Sequence, residues 1–130
     1  MSERIFTRAE ANDLLPRLRS IFSDLHEAWR LVRELQPEIE KLKEKAQYDA
    51  FHARGIDYVE SLTHVMVMLS QVRELGVLLK DLDKGLCDFP YMKDRRVVYL
   101  CWQLGEDSID FWHDVETGFG SREPLEETDE

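Results

Sequence analysis

The chain is predicted to be an α+β protein: a long antiparallel helical hairpin, coiled-coil-like, packed on a small antiparallel β-meander of three or four strands. Three observations carry this. Apolar residues recur at spacings of three and four from Leu18 to Ala46, the period of an amphipathic helix. A second helical stripe runs through Tyr58, Leu62, Val65, Leu69 and Val72. Beyond Gly85 the segments GLCDFPY, RRVVYLCWQL and IDFWHD are joined by turns too short for crossovers, so their strands must run antiparallel.

Taken in order, Thr7 and Glu10 form a capping box with Phe6 as a staple ahead of it, which starts a short helix at about 7–14. Pro16 removes an internal amide donor, so the chain breaks there and Pro16 enters the first turn of the next helix, about 16–47. In that helix Leu18, Ile21, Leu25, Ala28, Val32, Leu35, Ile39, Leu42 and Ala46 make a heptad seam, which must be buried against another helix. Pro37 lies opposite the seam and can bend the helix without opening it. The stretch Gln47–Gly55 reads as the turn. The partner helix, about 56–75, adds Val59, Met66 and Met68 to its stripe. That arc is wider than one antiparallel neighbour covers, which leaves apolar surface for the sheet, a second subunit or both. Gly76 ends the helix. Val77–Leu82 fits a short strand or more helix, and a strand is the preferred assignment. The meander occupies about 77–115, a single domain spans 1–122, and 123–130 is an acidic, disordered tail.

With 130 residues, 43% hydrophobic and 34% charged, the composition suits one soluble domain. Basic residues number 17 and acidic residues 27, for a net charge of −10. That excludes nucleic acid as the main partner, because phosphate neutralisation needs a concentrated basic face. The tail holds Glu123, Glu126, Glu127, Asp129 and Glu130, and the rest of the chain still carries −5. The charged start MSERIFTRAE lacks a signal-peptide core. The longest apolar run, Val65–Leu69, is far short of the roughly 20 residues a membrane span requires. Cys87 and Cys101 make no disulfide framework, and free thiols indicate a reducing, cytoplasmic compartment.

Strand register bears on chemistry. Val98, Leu100, Trp102 and Leu104 share one face of their strand, and Val97, Tyr99, Cys101 and Gln103 the other. Pairing Leu104 with Ile109 sets Trp102 opposite Phe111 and Leu100 opposite His113, which keeps Asp110 and Asp114 out of the core. His113 then lies on the core side and Cys101 on the opposite side, so the two are not expected to share a metal ion. Neither a CxxC nor an HxxxH spacing is present, against a structural zinc site.

Other groupings are weaker. Asp81, Asp83 and Asp88 with Glu106 could converge on a hard cation, or cap turns and face solvent. His113, between Trp112 and Asp114, could act as a general base, or be packed and hydrogen-bonded. The GFGSR segment could hold an anion through Arg122, or simply pin Arg122 to an acidic surface. Cys101, with no base expected beside it, reads as an inert thiol. No Ser-His-Asp arrangement can be assigned.

FTRAEANDLLPRL, GVLLKDLDKGLCDFP and VYLCWQLGEDSIDFWHDVETGFGSREPL together resemble the prokaryotic family known as domain of unknown function 2203, from about Phe6 to Leu125. The likeness rests on Asp88–Pro90, Leu100–Trp102, Gly105–Glu106, Trp112–His113, Gly118 and Arg122 as a set. Cys87 stands where family members often have valine, and Asp94-Arg95 replaces a turn that often carries glycine. The resemblance implies a small cytoplasmic bacterial protein and transfers no activity. It singles out Asp88, Cys101, Glu106, His113 and Arg122.

The function expected is a non-enzymatic homodimeric interaction or scaffold domain, with no nucleic-acid or membrane partner. The alternative is a small enzyme or divalent-metal-dependent ligand-binding protein, with Asp88, Glu106, His113 and Arg122 around a site at the sheet edge.

Overall fold

The computed structural model describes residues 4–130. The first three residues of the charged N-terminal stretch lie outside the described residues. Three helices precede the sheet: α1 (Arg8–Asp13), α2 (Leu15–Glu44) and α3 (Tyr48–Glu74). Five strands follow: β1 (Leu78–Asp81), β2 (Leu86–Lys93), β3 (Arg96–Gln103), β4 (Phe111–His113) and β5 (Glu123–Pro124). They form one antiparallel sheet in the order β1-β2-β3-β4-β5. The α+β fold read from the sequence holds, with one strand more than the upper expectation.

Two compact units arise, one from residues up to Ser20 together with Val72–Glu130, the other from Ile21–Gln71. In the first, the Thr7 side chain accepts from the Glu10 amide and the Glu10 carboxylate accepts from the Thr7 amide, so the capping box starts α1. Pro16 stands at the second position of α2, where the missing donor costs nothing. Ala11, Leu15 and Leu18 are buried, together with Phe89, Val98, Leu100 and Trp102 of the sheet's inner face. Phe6 meets Phe89 edge-on at 5.4 Å between centroids, and the Trp102 indole donates to the Glu106 carbonyl at 3.0 Å.

In the second unit, Ile21, Phe22, Leu25, Ala28, Val32 and Leu35 of α2 are buried, as are Val65 and Met68 of α3. The hairpin turns at 45–47, where Ala46 takes a left-handed φ of 54° and the Gln47 amide donates back to the Leu42 carbonyl at 3.0 Å. The turn is therefore earlier than Gln47–Gly55. α3 starts at Tyr48 and runs straight through Gly55, because a glycine costs a helix interior only about 1 kcal/mol. At the far end Gly76, with φ +87°, stops the helix, and β1 follows directly.

Residues 123–130, expected as a disordered tail, are tied down. β5 pairs with Phe111 and Trp112, and the Leu125 amide donates to Asp110 O at 2.7 Å. The Arg8 amide donates to Glu130 O at 2.9 Å, and Lys93 Nζ meets Asp129 Oδ1 at 2.7 Å. Of the acids that read as solvated, Asp129 pairs with Lys93 from a distant part of the chain, while Glu123, Glu126, Glu127 and Glu130 are exposed.

Candidate functional site

Register places the chemistry. β2 sets Asp88 beside Cys101 of β3. β3 sets Cys101 beside Phe111, Leu100 beside Trp112 and Tyr99 beside His113 of β4. Residues two apart in a strand share a face, so Asp88, Tyr99, Cys101, Phe111 and His113 lie together on the outer face. Cys87, Phe89, Leu100, Trp102 and Trp112 point the other way, into the core.

This corrects the expected pairing of Leu104 with Ile109 by one residue. The expectation assumed a strand running through Asp110 and Asp114, but β4 is only Phe111–His113. Ile109 has left the ladder: its amide donates to Asn12 Oδ1 at 2.8 Å and its carbonyl accepts from Arg8 Nε at 3.2 Å. Asp110 pairs with Arg8 at 3.3 Å and Asp114 with Arg96 at 2.7 Å, both outside the strand. The slip therefore buries no carboxylate, and it brings Trp112 into the core. His113 moves to the face of Cys101, so the inference that the two could not share an ion is overturned.

Asp88, Cys101 and His113 are 2%, 1% and 3% exposed. One donor atom from each lies within 4.8 Å of the others. His113 Nε2 stands 2.9 Å from Asp88 Oδ1, and Nδ1 stands 2.7 Å from the Asp114 carbonyl. A carbonyl only accepts, so Nδ1 carries the hydrogen, and Nε2 of a neutral ring offers its lone pair towards Asp88. Burial pushes the Asp88 carboxyl above its ordinary range, opposed by His113, Lys80 and Cys101. Burial, then the charge of Asp88, pushes the Cys101 thiol up to about 11, with Arg122 opposing. An unassisted thiol here is no nucleophile at neutral pH.

Glu106 and Arg122 form the second half of the site. Arg122 donates to Glu106 Oε1 at 3.0 Å and approaches Oε2 at 2.9 Å, a two-pronged pair. The guanidinium is held between Phe111 and Phe119, 4.1 Å from each ring centre. Glu106 is fixed in turn by the Gln103 amide at 2.7 Å. Burial draws the guanidinium pKa down, but the hydrogen bond and charge of Glu106 outweigh it and the net movement is upward. The charges of Asp88, Arg122 and Glu106 all act on the Cys101 thiol, and His113 stands within 4.8 Å of it, so the thiol lies between the two pairs. All four candidate residues read from the sequence thus belong to one network, and Cys101, read as inert, is its centre. A register built from the three-residue β4 is the signal that would have found it.

Other candidates disperse. Asp81 accepts from the Lys84 amide at 3.0 Å as a turn cap. Among the described residues the one grouping with metal-ligand geometry is Asp88, Cys101 and His113, not the four acids. Cys87 is fully buried on the core face, and burial, then Asp88, pushes its thiol far up.

Fold and site together define an α+β protein with an antiparallel meander that buries an Asp–Cys–His group beneath an Arg–Glu pair. Residues 4–125 match the family model described as uncharacterized conserved protein, DUF2203. The chain belongs to that family. Comparison with curated proteins and with solved structures returns no match. Among the described residues no helix is long and apolar enough to cross a membrane.

Proposed function

We propose that the protein is a homodimeric interaction or scaffold domain of the bacterial cytoplasm, in which a second copy covers the outer side of α3. One observation supports this. From Ser61 to Gln71 the helix carries no formal charge, yet Met66 is 63% exposed and Val67 46%. Val59 and Ile56, 60% and 48% exposed, extend the strip. At 1.5 Å per residue, Ile56 to Val67 spans about 17 Å. Removing such surface from water is worth roughly 25 cal/mol per Å².

A second copy is the occupant that the charge pattern favours. Molecules carrying −10 repel each other, so contact belongs where charge is lowest, and 61–71 is such a place. A two-fold contact presents the same strip to itself, and over 61–71 it opposes no like charges. The two unpaired thiols suit a reducing compartment.

Sedimentation at micromolar concentration tests this. The unaltered chain is expected as a dimer, and Val59→Glu with Met66→Glu as a monomer of unchanged helix content. A monomeric unaltered chain at tens of micromolar would sink the proposal.

A further inference from the structure

The geometry points to a mononuclear transition-metal site on the outer face of the meander, with Asp88 Oδ, Cys101 Sγ and His113 Nε2 as ligands and a zinc-class divalent ion as occupant. The inference is independent of self-association. Three donors bound to one tetrahedral ion stand about 3.3–3.7 Å apart, given bond lengths of about 2.0–2.3 Å. Here the Asp88–His113 separation is 2.9 Å and no pair of donors exceeds 4.8 Å. Side-chain shifts of a few tenths of an ångström to about an ångström would close all three on one centre.

The surroundings favour an ion over a bare hydrogen bond. His113 donates Nδ1–H to the Asp114 carbonyl, the contact that commonly orients a metal-bound imidazole and turns Nε2 inward. Two acceptors, Nε2 and Oδ1, then face each other at 2.9 Å and require a proton or a cation between them. Arg122 brings a positive charge near the sulfur, while Glu106 balances that charge. A divalent ion with one carboxylate, one thiolate and one neutral imidazole is neutral overall, as a buried site requires. Binding it sends the thiol proton of Cys101 and the proton shared by Asp88 and His113 to solvent.

Mixed sulfur, nitrogen and oxygen donors suit zinc or cobalt and not magnesium or calcium, which take oxygen. Three protein ligands leave one position for water or a small ligand. Cys87, on the opposite face, takes no part.

Untagged protein, stripped with chelator, is titrated with zinc and separately with cobalt. One ion per chain is expected, with a thiolate-to-cobalt charge-transfer band. Cys101→Ser should abolish the band. Asp88→Asn, which keeps a hydrogen bond to His113 Nε2 in the metal-free site, and His113→Gln should weaken binding by about 100-fold or more, beyond the 10–100-fold typical of outer-shell changes. Arg122→Lys should weaken it by about 10-fold, and Cys87→Ala should leave it unchanged. No stoichiometric uptake by folded protein, or uptake and a band that persist in Cys101→Ser, would overturn the assignment. So would Asp88→Asn and His113→Gln variants that fold and bind as tightly as the unaltered chain.

Discussion

Asp88 offers a test in which two substitutions at one atom position give opposite results. In the metal-free protein its carboxyl faces His113 Nε2 at 2.9 Å and lies within 4.8 Å of the Cys101 sulfur, at a position 2% exposed. Asp88→Ala leaves a buried imidazole nitrogen without a partner, a loss of about 1–3 kcal/mol. For a chain of this length 1 kcal/mol moves the melting midpoint by about 4 °C, so the drop is about 4–12 °C. Asp88→Asn differs. Its amide donates to Nε2, because Nδ1–H is already committed to Asp114. The burden of burying an ionisable group is also removed. Its stability should lie within about 1 kcal/mol of the unaltered chain. Thermal unfolding followed by circular dichroism at neutral pH in chelator measures both. An Asp88→Asn variant as unstable as Asp88→Ala would refute the reasoning, since a charged carboxylate–imidazolium pair would then be holding the site.

Arg122→Ala removes a two-pronged pair whose side chains are 17% and 26% exposed, and a cation held between two rings. About 1–2 kcal/mol should be lost, with faster proteolysis within 114–122. Gly85 has φ +64°, and an added Cβ would lie 2.6 Å from Leu104 Cβ. Gly85→Ala should therefore cost about 2 kcal/mol or more by urea unfolding. The Lys93 hydrogen bond holds the Asp129 carboxyl below its ordinary value. A depressed carboxyl contributes stability above its unfolded pKa, about 3.9, and loses it as pH falls through the lower folded value. Amide exchange at 125–130 should thus rise below about pH 3.9, before the meander opens. Unchanged protection there at pH 2 would contradict the pairing.

Much of the fold was legible because local rules and burial agreed. Thr7 and Glu10 are three apart, which closes a capping box whatever surrounds it. Gly76 tolerates the left-handed conformation that ends α3. The turns after Gly85 are too short for anything but antiparallel pairing. The hairpin tip was misplaced because Ala46, not a glycine, takes the left-handed position, and nothing in its identity signals that. The site was half legible. Asp88, Cys101, Glu106, His113 and Arg122 stood out by their place in recurring motifs, but Cys101 read as an inert thiol, because its role depends on what lies across two strands.

The order of residues by itself determined the helical hairpin, the antiparallel meander and the acidic character of the chain, since each follows from spacing, turn length or composition. Only the tertiary structure decided on which face His113 stands. A three-residue β4 can slip by one place without burying a carboxylate, because Arg8, Asn12 and Arg96, far away in sequence, take up the groups beside it. It likewise decided that the acidic end is held, since Arg8 and Lys93 reach it only once the chain has folded.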